Sequence, residues 1–164
     1  MQTNPAPVEG SQPHTVSVRS LVEFVLQAGD LTSGGFQKRD RNQLGIQGHK
    51  QVQRARPEDY ESEVAITYRV EDAEFPIEVQ GRIDGLYASR EPVIIEEIKT
   101  TTLSLESVNE QQNPMYWAQA QCYAFMYAQQ HEIDGITIHL TYYHLDSKKE
   151  KTFARHFSKA ELEG

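Results

Sequence analysis

Residues 93–100 read VIIEEIKT, and this short run limits the fold more than any other part of the chain. Val93, Ile94 and Ile95 open a buried strand. The same strand then takes up Glu96, Glu97 and Lys99. Unpaired charge is costly to bury, so a chain that begins to bury this strand must also neutralise what it carries. Side chains alternate along a strand, which puts Glu97 and Lys99 on one face and Glu96 on the other.

Around this strand the hydrophobic pattern gives an ordered series of elements. Residues 1–14, MQTNPAPVEGSQPH, are rich in Pro and polar residues and read as a disordered tail. Ser17 is an N-cap for a helix on which Val18, Leu21, Val22, Val25 and Leu26 recur at helical spacing. Val16 and Leu21 can staple its start, and Gly29 suits its end. GDLTSGGF reads as a loop. A more polar helix runs from about Asp40 to Arg56, ahead of Pro57. SEVAITYRV and FPIEVQGRIDGLYA, separated by EDAE, read as a hairpin, and PVIIEEIKTT is the third strand. Pro114, at the favoured first position, opens the long helix PMYWAQAQCYAFMYAQQ. In the strand GITIHLTYYHL, Ile136, Ile138, Leu140 and Tyr142 share one face, and DSKKE turns it into KTFARHF. Helix, helix, three strands, helix, two strands is a mixed α/β layout, with one domain over residues 15–164. Near the end, Ser158 and Glu161 form a capping box that opens a helix just before Gly164. A helix so short does not nucleate by itself, so we expect a domain excised from a longer chain.

Composition removes several classes of protein. A chain of 164 residues can bury a real core. Its single cysteine, Cys122, excludes an internal disulfide framework, a four-cysteine zinc site and an all-cysteine iron–sulfur cluster. A reducing cytoplasm fits best. No apolar run approaches the roughly 20 residues of a membrane helix, and the N-terminus lacks the layout of a secretion signal. The net charge of −8 argues against a protein that coats nucleic acid. The charge is uneven, however. Residues 36–56 carry Lys38, Arg39, Arg41, Lys50, Arg54 and Arg56 against Asp40 alone. Such a segment is either a solvated helix face or an electrostatic footprint for a nucleic acid.

The chemistry gathers near the charged strand. Asp84 lies on the preceding strand, in GRIDG, between Gly81 and Gly85. If the two strands pair, Asp84, Glu97 and Lys99 meet at one strand end. Two carboxylates repel each other and hold a hard divalent cation well. Lys99 beside them can orient a water or steady a developing negative charge. Other chemistries find less support. There is no phosphate loop of the G-x-x-x-x-G-K-[ST] kind and no nucleophile elbow. His139 and His144 face opposite sides of a strand. Cys122 sits among aromatic and Ala neighbours as a small core residue.

GRIDG followed by VIIEEIKT resembles the signature of the PD-(D/E)XK nucleases: an aspartate, then a strand bearing (D/E)-x-K, here Glu97-Ile98-Lys99. Gly48-His49 in GIQGHKQ, and Gln119 with Tyr123 in QAQCY, are similar to the early histidine and the Q-x-x-x-Y of the RecB-like branch. The resemblance spans residues 49–123 and implies a restriction-endonuclease-like αβββαβ core with a central mixed sheet flanked by helices. It implies that His49, Asp84, Glu97 and the Ile98 carbonyl hold Mg2+ or Mn2+, and that Lys99 positions the attacking water. Gln119 and Tyr123, one helical turn apart, would steady the site or the DNA backbone. The implied activity is hydrolysis of phosphodiesters in single-stranded or unwound DNA, approached along residues 36–56, in repair, recombination or defence. Many CRISPR-associated exonucleases of this branch carry a four-cysteine iron–sulfur cluster, which one cysteine cannot build. The opening SVRSLVEFVLQAGDL resembles the front of a nuclease domain fused to a Rad3-type helicase, which implies a helicase in cis beyond Gly164. A tethered motor would deliver DNA at high effective concentration to an acidic body.

Each element alone has an ordinary reading. Asp-Gly is a common turn signal, EEIK a charge-guarded strand edge, His49 a surface residue of a polar helix, and QAQCY helix packing. Their order along the chain is what the ordinary readings leave out. The rival functions are a catalytically silent nuclease fold that binds DNA or docks a partner protein, and an unrelated interaction domain.

Overall fold

The computed structural model describes residues 12–27, 40–71 and 75–164, with the side chains of all but 40–42. The elements in chain order are β1 (His14–Ser17), α1 (Val18–Gln27), α2 (Asp40–Arg54), β2 (Glu61–Val70), β3 (Ile77–Tyr87), β4 (Val93–Thr101), α3 (Pro114–His131), β5 (Gly135–His144), β6 (Glu150–Ser158) and α4 (Lys159–Glu163). The tail through residue 11, the stop at Gly29, the GDLTSGGF loop, most of the EDAE turn, and Lys38 and Arg39 lie outside the described residues.

The strands form one mixed six-stranded sheet in the order β1-β3-β4-β5-β6, with β2 also on β3. β4 and β5 run parallel, as do β1 and β3; the other pairs are antiparallel. The hairpin of β2 and β3 forms as expected, with Glu61 opposite Leu86 and Val70 opposite Ile77. β1 is an element the sequence reading lacks: His14–Ser17 pairs with Ile77–Gln80, so strand pairing begins at the last residue of the expected tail. Ser17 still caps α1, its Oγ accepting the Ser20 amide at 3.0 Å.

α3 carries the core. Asn113 caps its start by accepting the Met115 amide, Pro114 occupies the first turn, and Glu132 ends it in the left-handed region at φ 52°. The helix is short of polar residues on every side, so it can lie against the sheet and still take α1 and α4 on its flanks. Ile136, Ile138, Leu140 and Tyr142 of β5 all face this core and are buried, as their alternation requires. Val18 and Val22 of α1 join them, whereas Val25 is exposed. α2 covers the opposite face more thinly. Its Val52 meets Ile98 and Tyr143 in a separate small cluster. It ends at Arg54, two residues earlier than its charge pattern suggests, in a tight turn that leads to Pro57.

Candidate active site

β3 changes partner along one edge. β2 occupies its other edge for nearly the whole length. On this edge β1 pairs with residues up to Gln80, and β4 pairs only with Gly85, Leu86 and Tyr87. Residues 81–84 are therefore a gap where β3 and β4 fork. Asp84 sits at the fork and uses it: its Oδ2 accepts the amide of Ile98 at 2.8 Å, a donor the parted ladder leaves free. The sequence reading expects Asp84 and Glu97 to meet at one strand end; the fork instead lies inside both strands, three residues before the end of β3 and midway along β4.

α2 reaches the fork from one face of the sheet. His49 Nδ1 stands 3.6 Å from Asp84 Oδ1. Burial lowers the basicity of this imidazole, but the hydrogen bond and charge of Asp84, with Glu97 behind it, outweigh burial and raise its pKa. Glu63 is a donor that the sequence reading missed. His49, Glu63 and Asp84 present ligand atoms within 4.8 Å of one another. Glu63 lies between the pairs Ser62–Gly85 and Val64–Ile83, in the left-handed region at φ 55°. Gln53 of α2 donates to both the Glu63 carboxylate and the Asp84 carbonyl, each at 2.9 Å. No periodicity flags Glu63, since β2 alternates normally around it.

From the other face come Glu97, Lys99 and α3. Glu97 is 5 % exposed, and burial pushes its carboxyl up to about 7, against the pull of Lys99 and with Asp84 adding repulsion. Its Oε1 accepts from Lys99 Nζ at 2.8 Å, so Glu97 stands beside the three clustered donors, turned to the lysine. Lys99 Nζ also donates to Gln119 Oε1 at 2.9 Å and lies 4.6 Å from the Tyr116 ring centre. The Tyr123 hydroxyl reaches the fork against the backbone of Arg82, and burial first, then the charges of Glu97 and Asp84, raise its pKa.

The glycines have packing reasons, not turn reasons. Gly81 and Gly85 lie inside β3, as the strand reading of FPIEVQGRIDGLYA requires and the turn reading of Asp-Gly taken alone does not. A Cβ on Gly81 would stand 2.5 Å from the Tyr123 hydroxyl, and one on Gly85 1.8 Å from that of Tyr60. A Cβ on Gly48 would stand 2.5 Å from Thr100 Cγ2. Gly48 lets α2 settle on β4, and His49 follows it into place.

Glu96, on the other face of β4, has its own solution. Arg56 Nη2 lies 2.6 Å from Glu96 Oε1, the Tyr60 hydroxyl donates to Oε2 at 2.8 Å, and Thr141 Oγ1 donates at 2.7 Å. Arg56 also bonds Glu150 at 2.7 Å. Arg56 therefore turns inward, which corrects its expected place on a DNA-facing surface. Lys50 and Arg54 are exposed on α2 and line a hollow with Gln53, Ser62 and Glu63. The side chain of Arg41 lies outside the described residues. A cleft of about 420 Å³ is lined by Arg19, Ile46, His49, Lys99, Tyr116 and Gln119, among others.

One imidazole nitrogen and carboxylate oxygens drawn together against their own repulsion suit a divalent cation that accepts both donor types. Ile98, whose carbonyl the resemblance adds to these donors, has its side chain buried on the α2 face. Among the described residues no helix is long and apolar enough to cross a membrane.

Comparison with known proteins agrees with this geometry. No curated protein matches the chain. Among solved structures, the crystal structure of SSO0001 superposes with a TM-score of 0.59 at 18% identity, over 94% of this chain and 74% of that one, a likeness of fold. The family model of the PD-(D/E)XK nuclease superfamily matches residues 14–163. The fork that joins Asp84 to the Glu97–Lys99 strand thus lies within the matched region, and the chain belongs to the PD-(D/E)XK nuclease superfamily.

Proposed function

We propose that this domain is a metal-dependent deoxyribonuclease of the RecB-like branch that hydrolyses phosphodiester bonds in single-stranded or unwound DNA. The observation that carries the reading is the meeting of His49 and Asp84 at 3.6 Å beside the Glu97–Lys99–Gln119 chain. His49, Asp84 and Glu97 would hold Mg2+ or Mn2+, with the Ile98 carbonyl and Glu63 available to complete the set. When bound, such an ion polarises a phosphoryl oxygen and lowers the pKa of a water. Lys99 is fixed by Glu97 and Gln119, so its ammonium is aimed at one place and can orient a water or steady charge developing on the phosphate. Tyr123, wedged over Gly81, keeps α3 and therefore Gln119 in register with the fork.

The two hollows support a single strand as substrate. The cleft joins the cations Lys99 and Arg19 to the flat or apolar surfaces of Tyr116 and Ile46, a combination suited to a phosphate and an unstacked base. Lys50 and Arg54 line a second hollow that includes the donor Glu63, as the cleft includes the donor His49, so a strand lying in both would pass the clustered donors. A Rad3-type helicase in cis would supply unwound DNA, in a cytoplasmic setting of repair, recombination or defence.

The test is incubation of purified protein with labelled single- and double-stranded DNA and Mn2+. Cleavage of single strands that disappears in Glu97→Ala and in Lys99→Ala is expected. Cleavage that persists in both variants, or none by the unaltered protein with DNA still bound, would replace the nuclease with a contaminant or a silent DNA-binding module.

A further inference from the structure

We infer that Arg56 and Glu96 form a positioning clamp that sets His49 and Glu63 against Asp84. The inference rests on the metal-binding reading of the site, and it assigns a function to groups that neither bind nor react.

The clamp is linked through the chain to each of the donors. Glu96 and Glu97 are adjacent in β4 and point to opposite faces, so the clamp and the catalytic carboxylate are back to back on one backbone. Arg56 and Tyr60 lie in the turn between α2 and β2. His49 is upstream of that turn, on α2, and Glu63 is just downstream, on β2. A shift of the turn therefore moves both donors at once. Tyr60 crosses β3 over Gly85, next to Asp84, to reach Glu96.

Burial makes the clamp directional. Glu96 is 2 % exposed and receives Arg56 through both Nε, at 3.1 Å, and Nη2, at 2.6 Å. A planar guanidinium forks onto a carboxylate in one orientation, which an ammonium does not reproduce. Glu150 of β6 holds the outer side of the same guanidinium. Apolar packing under α2 is thin by comparison: Val52, Ile98 and Tyr143 form its buried cluster. Thin packing tolerates sliding, whereas the forked bond fixes the turn. Groups that orient ligands from outside are commonly worth ten- to hundredfold in metal affinity.

A buried pair also adds to stability, so the test must separate position from folding. Replacing both partners with apolar residues of similar size often leaves stability unchanged or improved. The test uses the full chain, unaltered and as Arg56→Met/Glu96→Leu and Arg56→Lys. Calorimetry gives the Mn2+ affinity, and hydrogen exchange of the metal-free proteins gives the protection of residues 45–63 against that of β4 and β5. We expect the double variant to stay folded with a somewhat lower denaturation midpoint, because the Tyr60 hydroxyl loses its acceptor, to lose protection in residues 45–63 more than in β4 and β5, and to bind Mn2+ about tenfold or more weakly, with Arg56→Lys in between. Unchanged local protection, or Mn2+ affinity within about twofold of the unaltered protein, would overturn the clamp. If the double variant unfolds, the Arg56→Lys protein decides on the same two measurements. If the unaltered protein binds no Mn2+, the metal reading fails, and hydrogen exchange still decides whether the clamp fixes the turn.

Discussion

Gly48→Ala separates two forces of opposite sign. In a helix interior, Ala is favoured over Gly by about 1 kcal/mol, so propensity alone predicts a more stable protein. The structure predicts the reverse. The added methyl would stand 2.5 Å from Thr100 Cγ2 and 3.2 Å from Tyr143 Cδ1. Overpacking of this kind costs about 1–3 kcal/mol, and a 2.5 Å approach to a short, stiff side chain belongs at the upper end. The net expectation is a loss of about 1–2 kcal/mol, with α2 pushed off β4. Thr100→Ser removes the offending methyl and leaves the contact with Tyr143, which a slight tilt of the ring relieves, and an ordinary one with Leu145 at 3.5 Å. In that background Gly48→Ala should be neutral or stabilising, giving a coupling of about 2 kcal/mol. Urea denaturation of the four proteins measures the cycle. Mn2+ calorimetry should follow it, because His49 rides on the displaced helix: weaker binding in the single variant, recovery in the double. A Gly48→Ala protein more stable by about 1 kcal/mol, or a cycle additive to within about 0.5 kcal/mol, would refute the argument that Gly48 is there for close approach.

Other outcomes follow from the same geometry. Glu63→Gln removes an exposed donor and should weaken Mn2+ binding several-fold by calorimetry while leaving the unfolding free energy within about 0.5 kcal/mol of the original. Gly81→Ala should cost about 1–3 kcal/mol in urea denaturation, because its methyl takes the space of the Tyr123 hydroxyl. The pH dependence of the metal-free protein has a definite sign. Glu97 titrates near 7 when folded against an ordinary 4.5, so the folded state holds a proton that the unfolded state has released. Its contribution to stability is present below about pH 4.5 and is lost as pH rises through about 7. Glu97→Gln should flatten that decline, and saturating Mn2+ should oppose it.

Much of this could be read from the chain, for reasons that differ by residue. The strand pattern places Glu97 and Lys99 on one face because alternation is local and strict. The pairing of Asp84 with that strand follows from the hairpin order. β1 escaped notice because four residues, HTVS, are too few to show a period, and their pairing with β3 is parallel and distant in sequence. The partner of Glu96 escaped because forty residues separate it from Arg56, and in a list of basic residues an inward arginine looks like any other. Glu63 escaped because its role comes from a backbone conformation at one residue, which composition and periodicity do not register.

The fork in the sheet has a consequence for how this protein can be assayed. The donors arrive from α2, β2, β3 and β4; the β2–β3 hairpin brings Glu63 to Asp84 by itself, but His49 and Glu97 join them only when α2 and β4 have docked. Ion uptake during refolding should therefore lag behind the recovery of helical and strand signal, and it should count only those molecules whose final docking is complete.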